Sequence, residues 1–227
     1  MNLVVHLSRL LTPFRWVGAE TVTLFVGTER LPLVVLKDKL CEASTFFNSA
    51  FKGGYKETAT SSMELPEGDE RALNLLMGWL YGQFSLHNLP VGDLDLLFLC
   101  ADRMDLPRLR KEYVDVVFDW MTKQENKRYA SFGSREKVRE HITEMYAHTL
   151  SGSSYRRLLA DHIIFKVRLS ADTLEWLRSQ PDFATDLFVG MIDKDHGKQN
   201  PFKHGAARDF YDAGIIKWVS GFASSTS

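Results

Sequence analysis

The chain has 227 residues, of which 44% are hydrophobic and 25% are charged, a composition typical of a globular protein with a sizeable core. The net charge of −1 is too small to indicate a nucleic-acid partner, and no stretch reaches the roughly 18 consecutive apolar residues of a membrane span. Residues 1–11 are apolar but include His6 and Arg9, and they lack the features of a signal peptide. We therefore expect an intracellular protein, in the cytoplasm, the nucleus or both, that binds neither membranes nor nucleic acids.

The first predicted elements form a β-hairpin. Residues 21–27 are rich in strand-forming residues, and residues 31–35 provide a second strand after a short turn. Pro32 has no amide hydrogen to donate, so it belongs near the start of this strand or on a sheet edge. One face of the first strand contains Val22, Leu24 and Val26.

The pattern then changes to a helical period. We expect two short helices, residues 37–43 and 45–51, because Ser44 between them is a favourable N-cap. The glycine pair at 53–54 ends the second helix. Residues 63–66 are then extended, since a proline disfavours helical backbone in the residue before it.

The remainder of the chain is predicted to be mainly helical. A helix covers residues 69–81, and Asp93 caps the next one. Asp105 caps a third, with Pro107 in its first turn. Further helices are predicted at 135–149, 154–167, 171–178 and 183–193, with a linker at 123–134 and no element at 194–214. The order of elements indicates an α+β domain over residues 19–122, preceded by a segment of residues 1–18 and followed by the linker and a helical region over residues 135–227.

Four motifs in this order resemble the BTB/POZ family, and more narrowly its fungal members. They are the helix pair at 37–47, the turn F-K-G-G-Y-K-E at 51–57, the pair L-P-E at 65–67 with W-L-Y-G at 79–82, and A-D-R-M-D-L-P-R-L at 101–109. Residues 155–161 resemble a segment found downstream in fungal BTB proteins. The resemblance implies a small mixed sheet capped by helical hairpins, here followed by an all-helical extension. It also implies protein binding without catalysis.

Two positions depart from the family pattern. The family usually has Asp just before the first strand, where this chain has Thr21, and His before the lysine of the helix pair, where it has Leu36. In BTB domains that bind transcriptional corepressors, a charged groove depends on that acid and a neighbouring basic residue. Only Lys37 remains, so we do not expect a groove of that type.

The turn at 51–57 is the candidate binding site. In BTB adaptors of cullin-type ubiquitin ligases, a hydrophobic-x-Glu motif at this turn inserts toward the cullin. The resemblance therefore implies partner-binding roles for Phe51, Tyr55, Lys56 and Glu57. In the alternative interpretation the turn only closes the fold, with Tyr55 resting on the helix below. The chain would then be a self-associating structural or transcriptional-regulatory protein without a ubiquitin link.

The N-terminal segment has two interpretations. In dimeric BTB domains an N-terminal element crosses to the partner chain, and the apolar residues of segment 1–18 are suited to that exchange in a homodimer. The same residues are equally suited to an amphipathic helix that packs on its own domain.

We predict no catalytic, cofactor-binding or metal-binding residues. No phosphate-binding loop, nucleophile elbow or zinc-protease motif is present in the sequence. Asp193, Asp195, His196 and His204 are close in sequence but do not have a metal-ligand spacing. Cys41 and Cys100 lie in apolar helical patterns, which indicates free thiols in a reducing compartment. An enzyme or metal protein with its site in the C-terminal half is the alternative from another class.

Overall fold

The structure is a computed structural model, and it describes residues 18–122, 135–166, 175–195, 199–213 and 215–217. The chain divides into two compact units, Met1–Glu70 and Arg71–Ser227, which we call the first and second units. The predicted linker at 123–134 and nearly all of the segment 1–18 lie outside the described residues. The alternatives for that segment therefore stay predictions.

The first unit contains a three-stranded mixed sheet in the order β2-β1-β3. The predicted hairpin is confirmed, because β1 (Thr21–Val26) pairs with β2 (Leu31–Leu36) in antiparallel register. The third strand, β3 (Ser62–Leu65), pairs with β1 in parallel. Burial alternates along β1, which places Val22, Leu24 and Val26 on the core face as predicted. Pro32 lies on the edge strand β2.

Two short helices follow the hairpin, as the sequence predicted. They are α1 (Lys37–Ala43) and α2 (Thr45–Lys52). The Ser44 hydroxyl between them accepts a hydrogen bond from the Phe47 amide at 3.1 Å, which is the expected N-cap. A third helix, α3 (Lys56–Thr60), was not predicted, because five residues are too few to show a helical period.

All regular secondary structure in the described part of the second unit is helical. Its longer helices are α4 (Glu70–Leu80), α5 (Val91–Arg103), α6 (Pro107–Thr122), α7 (Arg135–His148), α8 (Ser154–Lys166) and α9 (Pro181–Asp195). The α+β class with a helical C-terminal region is therefore confirmed. Of the helix predicted at 171–178, residues 175–177 are helical and residues 171–174 lie outside the described part.

Two predictions about the second unit were wrong: the cap at Asp93 and the absence of an element at 194–214. Helix α5 begins at Val91 with Pro90 as its N-cap. Asp93 instead lies in the first turn and forms an ion pair with Arg71, a position where the helix dipole also favours an acid. Helix α6 begins at Pro107, and Asp105, predicted as its cap, accepts a hydrogen bond from Arg110 at 2.9 Å. The region 194–214 contains a short helix, α10 (Pro201–His204), and a 3-10 helix at Ala207–Phe210.

Aromatic side chains form the centre of the second unit. The ring of Phe98 lies 4.4 Å from that of Tyr113 and 5.7 Å from that of Tyr155, centroid to centroid. These three residues belong to α5, α6 and α8 and are almost completely buried. Helix α8, which follows residue 122, therefore shares one core with α5 and α6.

Candidate protein-binding site

The turn between α2 and α3 depends on two glycines. A side chain at Gly53 would place its Cβ atom 2.2 Å from the Ser49 carbonyl oxygen, which is closer than such atoms can approach. Gly54 has a φ of +80°, a backbone conformation that other residues adopt only with strain. The glycine pair therefore ends α2 as predicted and turns the chain sharply into α3.

Thr58 holds this turn in place through its side chain. Its hydroxyl donates to the Ala50 carbonyl at 3.1 Å and accepts from the Gly54 amide at 3.2 Å. The Thr58 amide also donates to the Tyr55 carbonyl at 3.0 Å. The backbone on both sides of Tyr55 is therefore fixed by hydrogen bonds, so the aromatic side chain is presented with a defined direction.

The four candidate residues differ in their exposure. Tyr55 is 63% exposed, and the side chain of Lys56 is 83% exposed. Glu57 is much less accessible, with 16% of its side chain exposed, and its carboxylate lies 3.8 Å from the Lys56 ammonium. Phe51 is fully buried and stacks on Phe47 at a centroid distance of 6.3 Å. Tyr55 and Lys56 therefore offer contact area, whereas Phe51 supports α2 from within.

The two positions that depart from the family pattern face each other across the hairpin. Thr21 pairs with Leu36 in the β1–β2 register. The neighbouring Lys37 forms an ion pair with Glu20 at 3.0 Å, and its backbone amide donates to the Glu20 carbonyl. The remaining basic residue is thus neutralised by an acid one position before Thr21.

The family comparison agrees with this architecture. Residues 19–118 match the model of the BTB/POZ domain. The chain contains a BTB/POZ domain. No curated protein sequence matches the chain. The BTB/POZ domain is a protein-interaction module, so the turn at Tyr55 lies on a domain whose general role is to bind other proteins.

The motif at 101–109 has a structural role in the BTB/POZ domain. Asp102 and Asp105 both lie against the guanidinium of Arg110, at 3.2 and 2.9 Å. Arg110 is buried in α6 and also lies 3.6 Å from Asp212, near the end of the described chain. The motif therefore connects the BTB/POZ helices to residues that lie beyond the family match.

The segment at 155–161 binds the C-terminal helices together. Arg156 is buried, and its guanidinium donates to the carbonyls of Tyr146 and Thr149 at the end of α7. Arg157 donates to the carbonyls of Phe210 and Tyr211 at 2.6 and 2.7 Å. The arginine pair thus satisfies carbonyl groups that would otherwise lack partners after a helix ends.

A buried polar network joins the BTB/POZ helices to α7 and α8. One carboxylate oxygen of Asp95 accepts from the Tyr113 hydroxyl at 3.0 Å, and the other lies 3.4 Å from Nδ1 of His141. Nε2 of His141 forms a hydrogen bond with the Tyr155 hydroxyl. Burial raises the pKa of Asp95 to about 7 and lowers the pKa of His141 to about 4, so both groups favour their neutral forms.

Sequence reasoning did not select Asp95. The sequence feature that could have indicated Asp95 is its position within the buried face of α5, one residue after Leu94 and three before Phe98. In the described part of the chain, no group of three or more acidic, histidine or cysteine side chains is arranged to hold a metal ion. Of the residues considered for a metal site, His196 lies outside the described residues. No described helix is both long and apolar enough for a bilayer crossing.

Proposed function

We propose that this protein is an adaptor, in which the BTB/POZ domain binds a cullin-type scaffold through Tyr55 and Glu57 and the C-terminal helices hold a second protein. The observation that carries the proposal is an exposed tyrosine on a backbone fixed by the Gly53–Gly54 turn and by Thr58. Exposed aromatic residues on rigid supports are frequent anchors of protein interfaces, because they bury a large area and lose little entropy. The chain itself performs no chemistry in this role.

Glu57 has a positioning role in this proposal. Its side chain is largely shielded and lies in the first turn of α3, where a negative charge is favoured by the helix dipole. A lysine at this position would place a positive charge beside Lys56 and beside the positive end of the helix. Glu57→Lys should therefore disturb the presentation of Tyr55 without removing its ring.

Binding of the purified chain to a purified cullin tests the proposal. We expect Tyr55→Ala to weaken binding by about tenfold or more, the range of an interface anchor, and Glu57→Lys to weaken it too. Phe46→Ala is the matched control, because Phe46 is an aromatic residue of α2 that is 40% exposed. If the wild-type chain does not bind, or if Tyr55→Ala binds as well as Phe46→Ala, the cullin role of this turn is refuted.

Self-association without a ubiquitin link is the second candidate. Strand β2 is at an edge of the described sheet, and it exposes Leu31 and Val34, the latter at 52%. An exposed apolar edge strand is a template for pairing with another chain. Light scattering separates this candidate from the adaptor proposal: a homodimer that Val34→Lys dissociates, with no cullin binding, supports self-association alone.

We also propose a reducing intracellular environment, the cytoplasm, the nucleus or both. Cys41 and Cys100 are both buried thiols outside any disulfide, as the sequence predicted, and such thiols are typical of these compartments. The narrower resemblance to fungal BTB proteins stays a prediction from the sequence motifs.

A further inference from the structure

Helix α9 has an exposed apolar face. Phe188 is 66% exposed, Val189 52%, Met191 49% and Ile192 40%. Residues 188, 191 and 192 are three and four positions apart, so their side chains adjoin on one side of the helix. Four large apolar side chains grouped in this way on one exposed helix face are unusual, because single exposed apolar residues are the common case.

The opposite side of α9 is firmly packed. Phe183 and Leu187 are buried, and Gly190 lies so close to α8 that an added Cβ would be 2.4 Å from Cδ1 of Ile164. At the start of the helix, Asp182 forms an ion pair with Arg156. The exposed face therefore belongs to a helix whose position is set by contacts within the second unit.

An acidic cleft adjoins this face. It has a volume of about 570 Å³, and Val189 lies both on its wall and on the apolar face. Among the described residues that line the cleft, four carboxylates stand against a single guanidinium, that of Arg157. The guanidinium donates to two backbone carbonyls of its own chain. The carboxylates are those of Asp161, Asp186, Asp193 and Asp209.

Charge and shape together define what fits this surface. An apolar helix face is best covered by the apolar stripe of another helical segment, and an acidic cleft beside it favours lysine or arginine on the flank of that segment. A second copy of α9 does not have this chemistry, because it carries Asp186 and Asp193 on the side that lines the cleft, and like charges would meet.

We infer that the exposed face of α9 and the adjoining acidic cleft form a docking surface for a basic amphipathic helical segment of a partner protein. Residues Phe188, Val189 and Ile192 bury its apolar stripe, and the cleft receives its basic side chains. This surface would supply the second binding arm of the adaptor. It rests on residues remote in sequence from Tyr55, so either site can fail without the other.

The test is a selection of displayed random peptides, each as long as α9 at 15 residues, on the immobilised full-length protein. Peptides that also bind the double variant Phe188→Ala/Ile192→Ala are removed by counter-selection. We expect the enriched peptides to combine apolar residues at helical spacing with several lysines or arginines. If no peptide is enriched over the double variant, or if the enriched peptides are not basic, the inference is overturned.

Fluorescence anisotropy of the most enriched peptide then measures the contributions of the two parts. The double variant should bind at least about tenfold more weakly, and Asp193→Lys several-fold more weakly, with the loss largest at low salt. The matched control Phe46→Ala, on α2, should bind as the wild type does. All substituted residues are exposed, so circular dichroism should show unchanged folding.

Two further results would overturn the inference. One is equal binding of Asp193→Lys and the wild type, which would leave the acidic cleft without a role. The other is a wild-type dimer, seen by sedimentation velocity, that Phe188→Ala/Ile192→Ala converts to a monomer, which would make the face a contact between copies. Retained cullin binding in the double variant would show that the adaptor proposal at Tyr55 is separate from either outcome.

Discussion

The two units of this protein differ in whether they bury charged residues. In the first unit the ion pairs lie at the surface: the side chains of Arg30 and Glu64 are 63% and 48% exposed. In the second unit Arg110 and Arg156 are buried, and their guanidinium groups bond to several partners each. Among the described residues, the first unit contributes only Ser44 to the buried polar residues.

This difference determines where function can be tested by substitution. Exposed ion pairs contribute little to stability, so surface residues of the first unit can be changed while the fold is kept. Removing one member of a buried polar network destabilises the fold, because the remaining polar groups lose their hydrogen-bond partners. In the second unit only exposed residues, such as those on α9, are suitable for binding tests.

The largest expected effect is that of Arg156→Met. The substitution leaves the carbonyls of Tyr146 and Thr149 without the guanidinium that they now bond to. We expect the free energy of unfolding to fall by about 3–5 kcal/mol, the range for breaking a buried charged contact. Urea unfolding followed by circular dichroism measures this loss.

Arg30→Met is the matched control for the contrast between units. It makes the same chemical change at an arginine whose ion pair is exposed, so the unfolding midpoint should be unchanged within error. Arg156→Lys should recover only part of the lost stability, because an ammonium group cannot reproduce the planar arrangement of N–H donors in a guanidinium group. Similar losses of stability for Arg30→Met and Arg156→Met would show that the buried arginine is no more important to the fold than the exposed one.

The second prediction concerns the Asp95–His141 pair and the dependence of stability on pH. The folded-state pKa of Asp95 is raised from 3.8 to about 7, so its contribution is present at low pH and is lost as pH rises through this interval. The folded-state pKa of His141 is lowered from 6.5 to about 4, so its contribution is lost as pH falls through that interval. The two contributions oppose each other and nearly cancel between about pH 4 and 6.5.

Removing one member of the pair should reveal the pH dependence of stability that the other member produces. His141→Gln should make stability fall as pH rises from 4 to 7, whereas Asp95→Asn should make it fall as pH drops from 6.5 to 4. The slope for one proton is at most about 1.4 kcal/mol per pH unit. Urea unfolding across this range measures both slopes. Slopes of the same sign in the two variants would contradict the assignment of the raised pKa to Asp95 and the lowered pKa to His141.

The third prediction returns to the first unit. Ser44→Ala removes the side-chain acceptor for the Phe47 amide at the start of α2 and should cost about 1 kcal/mol of stability. The control is Ser49→Ala on the same helix. Ser49 is exposed within α2, where alanine is a better helix former, so that variant should be slightly more stable. A larger loss for Ser49→Ala would show that the cap is not the source of the effect.

The sequence was most informative where local physics determines structure. The alternating pattern of β1, the Ser44 cap and the Gly53–Gly54 turn each depend on residues within a few positions, and each was predicted correctly. The start of α5 was misplaced because Asp93 suits a cap and also an ion pair, and only Arg71, twenty-two positions earlier in the sequence, decides between them.

The buried network and the docking face needed three-dimensional information. Asp95, His141 and Tyr155 come from three helices, and no spacing in the sequence brings them together. The exposed face of α9 also could not be identified from the sequence. Apolar residues occur on several sides of this helix, so the pattern alone does not identify Phe183 as buried and Phe188 as exposed.

The smallest effect on stability is expected at Tyr55, where the effect on binding is expected to be largest. Its side chain is mostly in solvent, so Tyr55→Ala removes little buried area and should leave the urea unfolding midpoint unchanged. Tyr155→Ala, at a fully buried ring of the second unit, should lower stability by about 3–5 kcal/mol. If Tyr55→Ala instead destabilised the protein, its ring would be packed on the fold, and loss of cullin binding would no longer identify a contact residue. An unchanged midpoint together with lost binding assigns the ring to the partner.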